Sequence, residues 1–412
     1  RLSGPALGYH VLTVRAGHDG EFTRHPGARG LATSERSMEN EHLKVEIKSN
    51  GTVKLTDKRT AQMYRRLLTF EDIADIGDGW FHGAAVNDQA FVSTACQAQV
   101  ALVHDSPLLT TFRIRTTMPV PARFDFGRMW RVDQFEDLVI DNLVTLRHGS
   151  VLVEIKTTVG NSAEDHRLRV LLPSGARTVT YLADSAFDVV ERPISVREDN
   201  HMYRELEVET KPQQSWTAVF EAERGLAVVA DGILETAVRD LPERPIALTL
   251  FRATGRTVGT TGEPEGQLPG KLTFKYWLVP LAGDPDRTQL CELGQKISAG
   301  LKVAQLGPRD IPIHRTGEAD LPPRTGFLRL GGPAVMTSLR QVDGALEARV
   351  FNPLKSPISV TLRLGDWTVG AQRPSQAQRV DLESNPLGEP WAMDGEVSLR
   401  LQPKEIMTLR ME

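Results

Sequence analysis

The chain has 412 residues, 40% of them apolar and 25% charged, with a net charge of −4. That is enough apolar content for a sizeable core, and the small charge gives no electrostatic reason to expect nucleic acid or an anionic membrane as partner. No run of about 18 consecutive apolar residues exists, so no membrane-spanning helix is expected.

The start, Arg1-Leu2-Ser3-Gly4-Pro5, has no apolar signal-peptide region and no initiating methionine. A truncated, processed or trimmed chain is therefore expected. Tyr9 to Val14 reads as one strand, the last of a preceding domain. Gly27 to Ser37 is richer in Gly, Ser, Thr and charge and reads as a first boundary. In His42–Lys48, Leu43, Val45 and Ile47 face one side, and Val53 and Leu55 continue the alternation after Asn50-Gly51. That dipeptide predicts a tight hairpin with positive φ at both turn positions. Arg59–Leu68 could hold a turn or two of helix.

Further along, Val151, Val153, Ile155, Thr157 and Val159 alternate with Leu152, Glu154, Lys156 and Thr158, and Leu168, Val170 and Leu172 follow the same rule. Alternation with a polar outer face predicts antiparallel sheets. The clearest helical signal runs from Asp286 to Ser298, with Leu290, Leu293 and Ile297 on one face and Gly300 as terminator. Val303 to Arg324, with Pro308, Pro312, Pro322 and Pro323, reads as a linker. After it come five or six short strands, including Ile358–Leu364 and Val397–Leu401. The expected fold is all-β: a tail of a preceding domain (1–38), a large sandwich (39–302), a linker (303–324) and a small C-terminal sandwich (325–412).

Cys96 and Cys291 are too few for a disulfide framework and read as free thiols. Gly255, Gly259, Gly262 and Gly266 lack the strand-to-helix junction of a phosphate loop and read as a mobile loop. Neither GxSxG nor HExxH is present, and the ten histidines form no close pair with metal-ligand spacing.

Three clusters could carry chemistry. Glu71 to His82 combines carboxylates, glycines, Trp80, Phe81 and a histidine between two strands, a mixture suited to sugar hydroxyls and the apolar face of a sugar ring. The plain alternative is an acidic turn with a tucked tryptophan. Gly160 to Arg169 follows one strand and opens another, so Asp165, His166 and Arg167 could form a polar network at a strand end. The alternative is a hairpin whose Asn161 and Asp165 satisfy local backbone groups. His104-Asp105-Ser106 reads as a surface turn.

In order along the chain, these segments resemble the C-terminal part of family 38 glycoside hydrolases, the α-mannosidases. Asp72 to Trp80 is similar to the family's acidic Gly-Asp-x-aromatic segment. Val151–Arg169, with Glu154, Asn161 and then Asp165-His166-Arg167-Leu168-Arg169, resembles its Glu-strand and Asp-His-Arg-Leu-Arg run. Gly225–Val228, Gly232-Ile233 and Ile246–Gly255 match later strands. Glu347–Pro353 and Glu405–Leu409 resembles its final β-domain, and Gly8-Tyr9 the strand ending the preceding small sandwich. The departure is Gly79-Trp80-Phe81-His82-Gly83-Ala84-Ala85, where family members often carry a Tyr and a Pro pair.

The resemblance implies a mutarotase-like β-supersandwich followed by a small β-sandwich. It also implies retaining hydrolysis of α-mannosides by a nucleophilic aspartate, a second carboxyl acting as acid and base, and a zinc ion held by Asp and His. None of those motifs is present. The chain is therefore expected to contain no catalytic residue, no metal ligand and no cofactor, with zinc needed only by the complete enzyme and the missing N-terminal catalytic domain as partner. Asp78, Trp80, His82, Asp165, His166 and Arg167 are the expected substrate-rim residues. The family's many intracellular bacterial members point to the cytoplasm. Two other classes compete: a stand-alone carbohydrate-binding β-sandwich, against which the thinly spread six Trp and five Tyr argue, and a mutarotase-type epimerase. For the latter His82, His104 or His166 could be an acid, but no paired base is evident.

Overall fold

The computed structural model describes residues 7–12, 30–257, 260–305, 324–365 and 373–412. Its strand content makes it an all-β protein, with Arg287–Ala299 as the one α-helix among the described residues. The expected hairpin forms: Leu43–Ile47 pairs antiparallel with Val53–Asp57, from Leu43↔Asp57 to Ile47↔Val53. Only Gly51 takes a positive φ there, +82°. Asn50 instead accepts from Thr52 N at 3.2 Å and Thr52 Oγ1 at 2.8 Å. Its side chain closes a connection longer than two residues, where positive φ is not required of it.

Arg59–Leu68 is a correction to the helical expectation, since Gln62–Leu67 is a strand paired with Val53–Asp57. Packing overrides local preference because Tyr64 and Leu67 are fully buried, and Tyr64 OH donates to Gly225 O at 2.6 Å. Left-handed backbone at Arg66 and Leu68 then turns the chain into the next strand, Thr69–Ala74.

The large sandwich has two layers. One is a nine-stranded sheet running from Asp188–Pro193 at one edge to Ala98–Asp105 at the other, with Gly270–Leu281 and Val153–Asn161 at its centre. The other combines the five-stranded sheet of Ala32–Leu67 with a six-stranded sheet. The order in the latter is Lys211–Pro212, Glu235–Val238, Pro245–Ala253, His166–Pro173, Thr69–Ala74, Phe91–Val92. Val45, Leu55, Ile114, Ile140, Ile155, Val170 and Leu248 meet between the layers, each with at most 1% exposure or none. Each such side chain contributes roughly 1.5–3 kcal/mol by leaving water, against about 0–1 for an exposed ion pair, so burial and not surface charge holds the layers together.

The outer face of the nine-stranded sheet is also apolar. Leu182, Val189, Trp216 and Val229 pack there against Leu290 and Cys291 of the helix and against Val335 and Phe351. Asp286 caps that helix, its carboxylate accepting from Gln289 N at 3.1 Å, and Gly300 at φ +60° ends it. Both boundaries agree with the sequence reading. The small sandwich pairs a three-stranded and a five-stranded sheet over a separate core with Leu362, Leu401 and Leu409. It has more strands than expected. Pro386–Ala392 is exposed throughout and therefore has no apolar alternation to read.

Much of the Val303–Arg324 linker, 306–323, lies outside the described residues, as do 27–29 of the first boundary and 13–14 of the Tyr9–Val14 strand. Of that strand, Gly8–His10 pairs with Arg324–Gly326, from Gly8↔Gly326 to His10↔Arg324. No helix among the described residues is long and apolar enough to cross a membrane.

Burial decides the cost of truncation. Leu146→Ala, at a fully buried inter-layer position, is expected to lower unfolding free energy by about 3 kcal/mol. Leu102→Ala, on the exposed edge strand at 48% exposure, is expected to change it by less than about 0.5 kcal/mol. Urea titrations of the two variants and the parent check the contrast.

Candidate functional site: one loop end of the six-stranded sheet

Four connections meet at one end of the six-stranded sheet, where His166 pairs with both Ala74 and Ala253. Asp75 N donates to Asp165 O at 2.8 Å and Glu164 N to Ala122 O at 2.9 Å. Thr254 Oγ1 donates to Gly77 O at 3.3 Å, and Asn161 Nδ2 to Gln267 O at 3.0 Å. The segments after residues 74, 121, 161 and 253 therefore form one surface.

Strand alternation sorts the polar side chains beneath that surface onto two faces. On the inner face, Asp72 has no exposure and lies 2.5 Å from both Arg131 Nη2 and His166 Nδ1. The His166 ring is likewise fully buried, and its Nε2 lies 3.0 Å from Asn161 Oδ1. Each ring nitrogen thus meets an acceptor. Arg131 also sits over the Phe91 ring, 5.4 Å from its centroid.

The outer face carries Glu71, Arg167, Arg169 and Arg252. Arg169 reaches Glu71 at 2.6 Å and Glu209 at 2.7 Å, and Arg239 adds a 2.8 Å bond to Glu71. Burial pushes the Glu209 carboxyl up, but Arg169 outweighs it and holds the group below its ordinary value. For Arg167 burial dominates, reinforced by Arg169, and its pKa is lowered to about 10.

Asp75 organises the adjoining loop. Its Oδ1 accepts from Gly77 N at 3.0 Å and Gly83 N at 3.1 Å, while Arg252 Nε donates to Oδ2 at 2.6 Å. Burial pushes this carboxyl up, yet His82 and Arg252 hold it well below the usual range. Arg252 Nη2 also donates to Asp78 O at 2.8 Å and Phe81 O at 2.6 Å. A Cβ on Gly77 would lie 2.1 Å from Phe81 O, and one on Gly83 2.4 Å from Gly77 N. The loop closes so tightly that both glycines are needed.

The six expected rim residues fall into two groups. Asp78 forms a turn, its Oδ1 accepting from Trp80 N at 2.8 Å, and presents Trp80 at 79% exposure. His82 is mostly buried, with Nδ1 3.3 Å from Asp75 Oδ2 and no hydrogen bond to either ring nitrogen. Burial, opposed by Asp75 and aided by Arg167, holds its pKa below the ordinary value. Asp165, His166 and Arg167 are buried at 7%, 0% and 2% exposure, so they lie under the surface and not on it. Asp165 takes φ +54° and accepts from Gln267 Nε2 at 2.8 Å.

Sequence reasoning did not single out Asp72, Asp75, Arg131 or Arg252. The two aspartates lay inside a named cluster, whereas nothing local marks the arginines. The surface turn expected at His104-Asp105-Ser106 is corrected in part: His104 and Asp105 end the strand Ala98–Asp105, paired with Thr111 and Thr110, and the turn begins at Ser106, whose N donates to Leu109 O at 3.0 Å. Glu154 pairs with Arg147 at 3.0 Å away from the site, and 258–259 of the glycine-rich loop lie outside the described residues.

The zinc implied by the family resemblance finds no fit. Among the described residues no three His, Cys, Asp or Glu side chains converge on one point. Asp72 and Asp75 are already committed to arginines, and Cys96 and Cys291 are free and well separated in sequence. No step is assigned to a metal here.

Residues 38–257 match the model of the glycosyl hydrolases family 38 C-terminal domain. The chain is 26% identical to a putative mannosylglycerate hydrolase of Halalkalibacterium halodurans, across 92% of this chain and 42% of that protein. It superposes on the crystal structure of an α-mannosidase from Enterococcus faecalis V583 with TM-score 0.80 and 27% identity, covering 93% of this chain and 43% of that one. A second Enterococcus faecalis family 38 structure matches at TM-score 0.76, with 93% and 44% coverage. The chain thus spans less than half the length of these relatives.

The pKa directions fix a pH dependence. His82 and Asp75 both sit below their ordinary values of 6.5 and 3.8, so the unfolded chain binds more protons just below each of those values. Both groups therefore contribute stability above the unfolded pKa and lose it as pH falls. Stability is expected to drop below pH 6.5 and again below 3.8. His82→Gln should remove the first drop and Asp75→Asn the second, in urea midpoints measured at pH 7.5, 5 and 3.5.

Proposed function

The chain belongs to glycosyl hydrolase family 38, and from that membership we propose that it is the β-rich C-terminal part of a retaining α-mannosidase. The observation that carries this reading is coverage: the relatives match nearly all of this chain, in one alignment, and less than half of themselves.

The site chemistry agrees. Retention requires two carboxyl groups about 5–5.5 Å apart, one of them free to attack the sugar. At the loop end the buried carboxylates are already spent: Asp72 on Arg131 and His166, Asp75 on Arg252. A carboxylate locked by a guanidinium is a poor nucleophile. The nucleophile, the acid and base carboxyl and the zinc ligands are therefore assigned to polypeptide outside these 412 residues. What this chain supplies is a rim: the Asp78–His82 loop positions an exposed aromatic and polar backbone, and the buried ion pairs hold that loop still. The substrate class is an α-mannoside. Mannosylglycerate, the substrate in the name of the Halalkalibacterium halodurans relative, is one member of that class.

The complete natural polypeptide is expected to hydrolyse a chromogenic α-mannoside, whereas the 412-residue chain alone is not. Turnover that follows the isolated chain through purification would place a whole active site within it and reject the assignment. In the complete polypeptide, Asp78→Ala is expected to act mainly on KM, raising it about fivefold through loss of roughly 1 kcal/mol of uniform binding.

A further inference from the structure

Residues 72–135 contain neither lysine nor glutamate, in a chain that is 25% charged. Depletion of those two residue types, with Trp, Phe, Met and Arg in their place, marks the core of a protein–protein interface. The fold brings much of this stretch to the loop end described above. Trp80, Phe81 and Val86 on the 75–91 loop, and Met129, Trp130 and Phe135 on the 122–135 segment, are each 50% exposed or more. The two segments form one surface. Phe91 meets Phe135 edge-on with ring centroids 5.7 Å apart, and Arg131 lies over the Phe91 ring at 5.4 Å. The loop returns to the sheet where Ala74 N donates to Asp88 Oδ2 at 2.7 Å.

The hairpin within 122–135 holds its apolar side chains outward. Phe124 pairs with Arg131 and Asp125 with Trp130. Alternation therefore sends Phe124 and Arg131 inward, at 3% and 9% exposure, and Trp130 outward at 52%. Arg131 is pinned beneath by Asp72 at 2.5 Å. Asp125 Oδ1 closes the turn, accepting from Gly127 N at 2.9 Å and Arg128 N at 3.1 Å. An anchored hairpin that keeps Met129 and Trp130 in water is a contact surface without its partner. Two observations identify that partner. The relatives match nearly all of this chain with less than half of their own length, so most of such a protein lies outside it. The surface is also continuous with the proposed mannoside rim at Trp80, which polypeptide carrying the nucleophile has to approach.

We propose that the hairpin Phe124–Arg131, flanked by Val86 and Phe135, is the face on which the polypeptide carrying the catalytic carboxylates docks, with Trp130 as its anchor. The inference rests on the α-mannosidase reading above. It goes further in assigning the docking face to named residues of this chain.

The test is hydroxyl-radical footprinting of the 412-residue chain and of the complete polypeptide, each without substrate. Met129 and Trp130 are expected to be oxidised roughly tenfold more slowly in the complete polypeptide, because the core of a docked interface excludes water. Met202, 74% exposed on the 194–210 connection, should be oxidised at the same rate in both. Trp130→Glu in the complete polypeptide should return Met129 to the rate seen in the 412-residue chain, and Trp130→Phe should keep most of the protection. Equal rates for Met129 and Trp130 in the two parent proteins overturn the docking face, whether or not Met202 is protected. Slow oxidation of both already in the 412-residue chain, with a dimer in sedimentation velocity, also overturns it and gives the face to a second copy. The ratio is read without turnover. A complete polypeptide that hydrolyses no α-mannoside therefore rejects the mannosidase reading, while the ratio still decides the docking face.

Discussion

Asp72 is a carboxylate without any solvent exposure, held at 2.5 Å by Arg131 on one side and His166 on the other. The arrangement of the loop end depends on it. Arg131 comes from the hairpin of Phe124–Asp125 and Trp130–Arg131 that follows residue 121, and His166 begins the strand beside Asp72. Through Asn161 the His166 ring is tied to the 267–268 backbone as well. Removing one charged partner of such a buried pair leaves the other without its compensating charge, typically a loss of about 3–5 kcal/mol. Replacing the whole set with apolar residues would be less damaging to stability, but nothing would then fix how three connections meet. The interaction is better understood as specifying geometry than as supplying net stability.

On the opposite face of the same strands the pattern repeats with different chemistry. Asp75 gathers two backbone N–H groups and a guanidinium, and so folds the 75–83 loop over a pair of glycines that admit no side chain. Trp80 stands out from that loop at 79% exposure. A large aromatic held out by an ion-paired, closely packed loop is a surface prepared for contact. The hydrophobic layers beneath make this possible, since they carry the stability that an end full of charge does not.

Much of the fold was legible in the sequence, and for a simple reason. Leu168, Val170 and Leu172 alternate because one face of their strand is inside, and the capped helix at Arg287–Ala299 declared both its ends through Asp286 and Gly300. The Arg59–Leu68 error had an equally physical origin: Arg65 and Arg66 interrupt the alternation, and only the distant Gly225 carbonyl explains why Tyr64 faces inward. The site was half visible. The Asp165–Arg169 run announced a polar network, but alternation sends His166 inward and Arg167 outward, to separate partners. Arg252 lies 177 residues from Asp75, and Arg131 follows no recognisable motif. Ion pairs between distant strands have no local pattern, so they appear only once the sheet is assembled.

The central claim is that this loop end faces a mannoside, while the nucleophile and the acid and base carboxyl belong to other polypeptide. Hydrogen–deuterium exchange of the complete natural polypeptide, with and without a saturating thio-linked α-mannoside, tests it most directly. Slowed exchange in residues 75–83 and 161–167, with none at the opposite end of the sheet in 173–179 and 239–245, is the predicted result. Unchanged exchange in both loops while ligand is bound would show that the mannoside sits elsewhere, and would contradict the account.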